Sequence, residues 1–219
     1  MTTRLAGAPE LFRLAWRRDR ILVPASVLGL VALSVGSAQA TLALYPDDEA
    51  AATGLAGVLT NPSVIAMYGP LASQTADALA VFKTVMMGAF LTAVLGFVVV
   101  RRHTRTEEDE GRHELVGSGV VGRWSALAAS VALACLSVIA ASALSAVGLA
   151  ALGMDGAGSA AFAVAWLSAG LATVGVTAVA VQLASTSRGA AGLGFGFLAA
   201  AYALRAVADS SDAGTLLHA

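Results

Sequence analysis

The sequence predicts an all-α fold, a polytopic membrane bundle of about five transmembrane helices with an interfacial N-terminal helix and a cytoplasmic coupling helix. The 219 residues are 58% hydrophobic, above the roughly 45–50% typical of soluble domains. Five apolar stretches reach or approach the about 20 residues with which a helix crosses a hydrocarbon core. They run roughly over 21–44, 81–100, 125–152, 160–184 and 190–208.

The basic residues predict the orientation. Eleven of the thirteen Lys and Arg residues lie in segment 1–20, in the connection 101–124, or at Arg188. Because basic connections remain in the cytoplasm, we expect a multi-pass protein of the cell membrane with its N-terminus inside and an outer tail at 209–219. The other two cations, Lys83 and Arg205, fall at the predicted outer boundary, where long basic side chains can reach lipid headgroups.

Residues 8–20 predict a helix that lies in the membrane interface. Leu11 and Leu14 share one face, Arg17 lies on another, and Trp16 is expected at headgroup depth. Two arginines before an apolar run also resemble a secretory signal. The apolar run is longer than the about 7–15 residues of such signals, which favours an uncleaved first span.

The predicted outer segment, 45–80, is too apolar for a free loop. Asn61-Pro62 and Gly69-Pro70 indicate turns within it, so short helices on or in the outer leaflet are expected.

In the later spans, Gly192 and Gly196 have the GxxxG spacing that lets membrane helices approach closely. That spacing favours a packed bundle.

The connection 101–124 contains the densest cluster of charge. Thr106 can cap a helix whose first turn is acidic, and Gly117 suits its end, so a short amphipathic helix beneath the membrane is predicted. Residues 117–122 match GxGxxG, but a dinucleotide site requires a preceding strand. A flexible joint is the favoured interpretation.

No carboxylate lies deep in any predicted span, and the serines there have no His or Asp partner at the same depth. The three histidines lie outside them, and the single cysteine, Cys135, cannot form an internal disulfide or a multi-cysteine metal site. No GxxxxGK[ST] sequence is present. We therefore expect no enzyme activity, no cofactor and no metal in this chain, and any nucleotide hydrolysis is expected on another polypeptide.

Several sequence motifs carry a resemblance to a known family. They are RRHTRTEE at 101–108, GRHEL at 111–115, VGR at 121–123, NP at 61–62 and YGP at 68–70. With the order of the predicted helices, they resemble actinobacterial ABC (type-2) exporter permeases of the polyketide-antibiotic and multidrug efflux family, in the N-terminal half. The resemblance covers essentially the whole chain.

The resemblance implies a transport mechanism. A dimeric ABC ATPase, which binds ATP and Mg, would dock beneath the permease and drive hydrophobic or amphipathic small molecules, such as antibiotics, out of the cell. Other implied partners are membrane lipid and a second permease half or the remaining spans, and nucleic acid is not among them. The predicted docking residues are Glu107, Glu108, Glu110, Arg112, Glu114 and Leu115.

Other interpretations remain open at this stage. The docking loop could be only a solvated charged loop, and the chain could be a non-transport membrane protein, an assembly or immunity partner that binds through the same loop. Five spans are one fewer than a family half should have, so the chain is expected to be truncated or continued by a sixth span.

Aromatic residues in spans often only pack or face lipid, but five could line a substrate cavity, namely Phe90, Phe97, Phe162, Trp166 and Tyr202.

Overall fold

The computed structural model describes residues 5–55, 61–71, 73, 75–104 and 122–210. Every regular element in these ranges is helical, which confirms the predicted all-α class. The helices are α1 (Ala8–Arg18), α2 (Leu22–Leu44), α3 (Asp48–Leu55), α4 (Pro62–Tyr68), α5 (Ala76–Arg102), α6 (Ser125–Ala151), α7 (Gly156–Leu183) and α8 (Ser187–Ser210).

Five of these helices, α2 and α5 to α8, are long and apolar enough to cross a membrane. The five predicted apolar stretches fall one on each, although three helices, α5, α7 and α8, begin earlier than the apolar residues do. α5 begins at Ala76 because the Thr75 hydroxyl accepts a hydrogen bond from the Ala78 amide. α7 begins at Gly156 because the Asp155 carboxylate caps its first turn. The capping residues therefore extend the helices into the polar flanks.

α5 is the central helix of the described bundle. It packs most extensively on α7 and also contacts α2, α6 and α8. α2 and α8 lie at the periphery, since only a narrow stripe of each is buried. Both helices therefore leave broad apolar surfaces that lipid or a further protein element can cover.

Glycine permits close helix contact at positions other than the predicted pair. A Cβ added at Gly192 or Gly196 would meet no atom within 4 Å, so the GxxxG spacing marks no close approach in the described structure. At Gly88, in contrast, an added Cβ would lie 1.8 Å from the Trp166 ring. The α5–α7 contact thus depends on a glycine that the spacing argument did not identify.

The segment before α5 contains the expected short helices, α3 and α4. The Asn61 side chain caps α4 by accepting a hydrogen bond from the Ser63 amide. At the other end of α4, the Arg205 guanidinium donates to the Ala66 and Met67 carbonyls at 2.8 and 3.3 Å. Arg205 therefore binds protein, which differs from the predicted contact with lipid headgroups.

Candidate functional site at the two ends of the bundle

The short turn between α1 and α2 holds a buried carboxylate. The Asp19 side chain is fully buried, and its Oδ2 lies 2.7 Å from Nε2 of His103, just after α5. Its Oδ1 lies 3.1 Å from Nε of Arg102, a half-exposed side chain. The first residue after α1 is thus joined to the residue that follows α5, 84 positions further along the chain.

The beginning of α1 is joined to the following long helix. The Ala6 carbonyl accepts hydrogen bonds from the Gly122 amide at 2.9 Å and from the Ser125 hydroxyl at 2.7 Å. Gly122 and Ser125 lie at the start of α6. We call these contacts, together with those of Asp19, the α1 anchor. They bind the two sides of the connection 105–121 to the two ends of one short helix.

The faces of α1 differ in their surroundings. Ala15 is buried against α6, and Leu11 and Leu14 line a small cleft beside His103. Trp16 is 41% exposed, and Arg17 also faces outward. Leu14 is itself 48% exposed. Of the predicted interfacial residues, Leu11 therefore contacts the bundle, whereas Leu14, Trp16 and Arg17 are available to a membrane surface.

The six predicted docking residues lie outside the residues that the structure describes. They are Glu107, Glu108, Glu110, Arg112, Glu114 and Leu115. The described residues on both sides of them belong to the α1 anchor. Sequence reasoning missed Asp19 and His103, because Asp19 lies within the predicted interfacial segment 8–20 and His103 within the charged connection 101–124. An acidic and a basic side chain at the same predicted membrane boundary were the sequence signal that could have indicated this pair.

A cavity of about 910 Å³ opens at the end of the bundle away from α1. We call it the distal cavity. It lies between α2, α5, α6 and α7, and its apolar walls include Leu42, Val85, Leu149 and Phe162. Four carboxylates line its mouth, those of Asp47, Asp48, Asp77 and Asp155.

The carboxylates at this mouth hold the helix starts in place. Asp48 Oδ1 accepts from the Ala76 amide at 2.8 Å, and Asp77 Oδ2 accepts from the Asp155 amide at 2.9 Å. Asp155 Oδ2 accepts from the Gly158 amide at 2.7 Å. Negative groups at helix N-termini are stabilised by the helix dipole as well as by these hydrogen bonds. The same residues give the mouth one sign of charge.

The structure separates the five aromatic residues predicted to line a cavity. Phe162 lines the distal cavity, and Trp166 packs behind it with a ring-centroid distance of 4.7 Å. Phe97 is buried and packs on Phe195 of α8. Phe90 and Tyr202 are 43% and 39% exposed on the bundle surface.

Metal ligation finds no support in the described ranges, which contain no group of three or more His, Cys, Asp or Glu placed to hold a metal ion. The distal cavity is large enough to admit an organic molecule, and the α1 anchor joins the α1 region to the end of α5 and the start of α6.

The sequence is similar to that of a known permease. No family model matches the chain. Over 211 residues, which are 96% of its length, the chain is 38% identical to the multidrug efflux system permease protein Rv1217c of Mycobacterium tuberculosis. The match covers 38% of that relative, so the chain spans well under half the length of the protein it resembles.

Proposed function

We propose that this chain is a transmembrane permease subunit, or part of one, of an ATP-driven ABC exporter. It would move hydrophobic or amphipathic small molecules, such as antibiotics, out of the cell. The α1 anchor is the observation that carries the proposal, and the similarity to a multidrug efflux permease supports it. The five long apolar helices supply the membrane domain that such a subunit requires.

An exporter driven by a separate ATPase needs a surface that receives motion and a rigid path into the membrane. The connection 105–121 would provide the surface, with the predicted docking residues on it. Any displacement of this connection pulls on His103 at one side and on Gly122 at the other, and both are bonded to the α1 region. Because α5 packs on α2, α6 and α7, the displacement would reach most of the bundle.

The partner would bind and hydrolyse the nucleotide. The 219 residues contain no GxxxxGK[ST] sequence, so ATP and Mg belong on a dimeric ABC ATPase in this proposal. A second permease half or further spans would complete the pathway. By the positive-inside rule we expect the α1 end in the cytoplasm, where such an ATPase would dock.

The test is a pair of matched charge reversals at opposite ends of the bundle. Glu108→Lys lies in the predicted docking loop, whereas Glu49→Lys lies on α3, an exposed position at the distal end. Each is co-expressed with a candidate ABC ATPase partner. We expect Glu108→Lys to weaken co-purification and substrate-stimulated ATP hydrolysis, and the triple reversal of Glu107, Glu108 and Glu110 to weaken them further.

The Glu49→Lys control shows whether a loss of co-purification or hydrolysis is specific to the docking loop. Glu49→Lys should leave co-purification and hydrolysis within twofold of the unmodified protein. Unchanged co-purification and hydrolysis in the triple variant would contradict the docking assignment. Strong co-purification with an ATPase, but no export of any tested compound, would favour the alternative of a non-transport assembly or immunity partner.

A further inference from the structure

We propose that the distal cavity is a binding site for lipophilic organic cations. The inference combines an apolar interior with a mouth of one sign of charge, and neither feature alone would define the ligand. The predicted binding does not depend on export. The inference rests on the proposed export function only where it would describe such a ligand as a substrate.

The interior suits an organic molecule in size and in chemistry. Its volume of about 910 Å³ falls within the about 300–1,000 Å³ typical of small-molecule sites. The Phe162 ring on its wall is supported by Trp166, whose indole N–H donates to the Val85 carbonyl at 3.2 Å. The aromatic wall is therefore held in one orientation. The face of an aromatic ring also attracts cations.

The mouth selects for positive charge. Asp47, Asp48, Asp77 and Asp155 line it, and no Lys, Arg or His lines the described part of the cavity. Asp48, Asp77 and Asp155 each use one carboxylate oxygen to accept a backbone amide hydrogen, while the second oxygen has no hydrogen bond among the described residues. Clefts lined by charges of one sign concentrate the opposite counter-ion. A cation at this mouth would relieve the repulsion between the carboxylates.

The wall also contains a polar atom without a partner. Ser159 is 4% exposed and lines the cavity, and its hydroxyl has no hydrogen-bond partner among the described residues. Buried hydroxyls normally have one. The oxygen of Ser159 can accept a hydrogen bond from the N–H of a protonated amine. This observation is independent of the acidic mouth and indicates a polar group in the ligand, while the carboxylates at the mouth set the sign of its charge.

Two ions of the same shape and opposite charge provide the first test. The purified protein is placed in nanodiscs of neutral phosphatidylcholine without an ATPase, and binding of tetraphenylphosphonium and tetraphenylborate is measured by equilibrium dialysis. Binding to empty nanodiscs is subtracted because both ions dissolve in lipid. We expect the cation to bind at least tenfold more tightly than the anion. Equal affinities, or tighter binding of the anion, would overturn the proposal.

Matched variants locate the effect within the cavity. The double variant Asp77→Asn with Asp155→Asn keeps the amide oxygens as hydrogen-bond acceptors but removes two charges. We expect it to bind tetraphenylphosphonium roughly fivefold to tenfold more weakly, an effect of the size expected for charges near a protein surface. Glu49→Gln removes a charge at the same end but not from the cavity lining, and should change affinity less than twofold. A similar loss in both variants, or no loss in the double variant, would overturn the proposal.

Two further variants, Asp48→Asn and Ser159→Ala, test the cavity if the double variant fails to fold and test the role of the serine hydroxyl. If the double variant does not fold, Asp48→Asn alone should still weaken cation binding about threefold. Ser159→Ala should weaken binding of protonated triphenylmethylamine about threefold and leave tetraphenylphosphonium, which lacks an N–H, unchanged. An equal effect on both ligands would exclude Ser159 from the site. Because no ATPase is present, cation binding can succeed where docking or export fails, and the reverse, so the two proposals are tested separately.

Discussion

His103 Nε2 lies 2.7 Å from the Asp19 carboxylate, although the two residues are 84 positions apart in the chain. Both side chains are almost completely buried, at 5% and 0% exposure. The contact fixes the turn between α1 and the first long helix α2 against the end of α5. The charged connection 105–121 therefore follows directly after a buried polar contact with the α1 region.

A double-mutant cycle on this pair should show strong coupling. Asp19→Ala and His103→Ala each remove one side of the buried hydrogen bond between these residues, so each should lower the free energy of unfolding by about 1–3 kcal/mol. The double variant should cost less than the sum, with a coupling energy of about 0.5–3 kcal/mol. Equilibrium unfolding in mixed detergent micelles measures all four proteins. Glu10→Ala, an exposed carboxylate on α1, should change stability by less than about 0.5 kcal/mol.

Additive effects would show that the two side chains do not stabilise one another. The cycle also bears on the transport proposal. If the α1 anchor transmits motion, Asp19→Ala should reduce ATPase-driven export more than it reduces ATPase co-purification. Parallel losses of both would assign the pair to stability alone.

The lengths of the apolar runs and the positions of turn residues were sufficient to predict the described helices but not their contacts. The five spans follow from run length because an apolar run of about 20 residues has few other stable environments. The Asp19–His103 contact depends on which faces of α1 and α5 meet, and a sequence does not state helix rotation. The same limit explains why Gly192 and Gly196 were singled out while Gly88, which contacts Trp166, was not.

Gly88→Ala should destabilise the bundle, because an added Cβ would lie 1.8 Å from the Trp166 ring. Trp166 is fully buried and its N–H is bonded to α5 carbonyls, so it cannot move aside without losing that bond. Overpacking of this kind costs about 1–3 kcal/mol. Thermal unfolding monitored by circular dichroism in detergent measures the loss.

Gly36→Ala is the matched control for this substitution. Gly36 also lies inside a long helix, but an added Cβ there meets no atom within 4 Å. Alanine has the higher helix propensity by about 1 kcal/mol, so Gly36→Ala should leave the unfolding temperature unchanged or raise it. A lower unfolding temperature for Gly36→Ala than for Gly88→Ala would contradict the described α5–α7 packing.

Arg205→Ala should release α4 from α8. The guanidinium donates to the Ala66 and Met67 carbonyls and forms an ion pair with Asp209 at 2.6 Å. Its loss leaves the last carbonyls of α4 without these donors, so we expect faster proteolysis within 61–71 in nanodiscs. Lys83→Ala is the control, since Lys83 is exposed. Equal cleavage rates for the two variants would assign Arg205 to headgroup contact, as the sequence alone predicted.

The orientation of the bundle remains a prediction, and paired cysteine labelling tests it. In a Cys135→Ser background, Glu10→Cys on α1 and Glu49→Cys on α3 place one exposed thiol at each end of the bundle. With basic connections inside, a membrane-impermeant maleimide should label Glu49→Cys on intact cells and Glu10→Cys only after permeabilisation. Both should label equally in detergent. The reverse pattern would open the distal cavity to the cytoplasm, so that the cavity would become an entry site for an exporter and the α1 anchor could no longer contact a cytoplasmic ATPase.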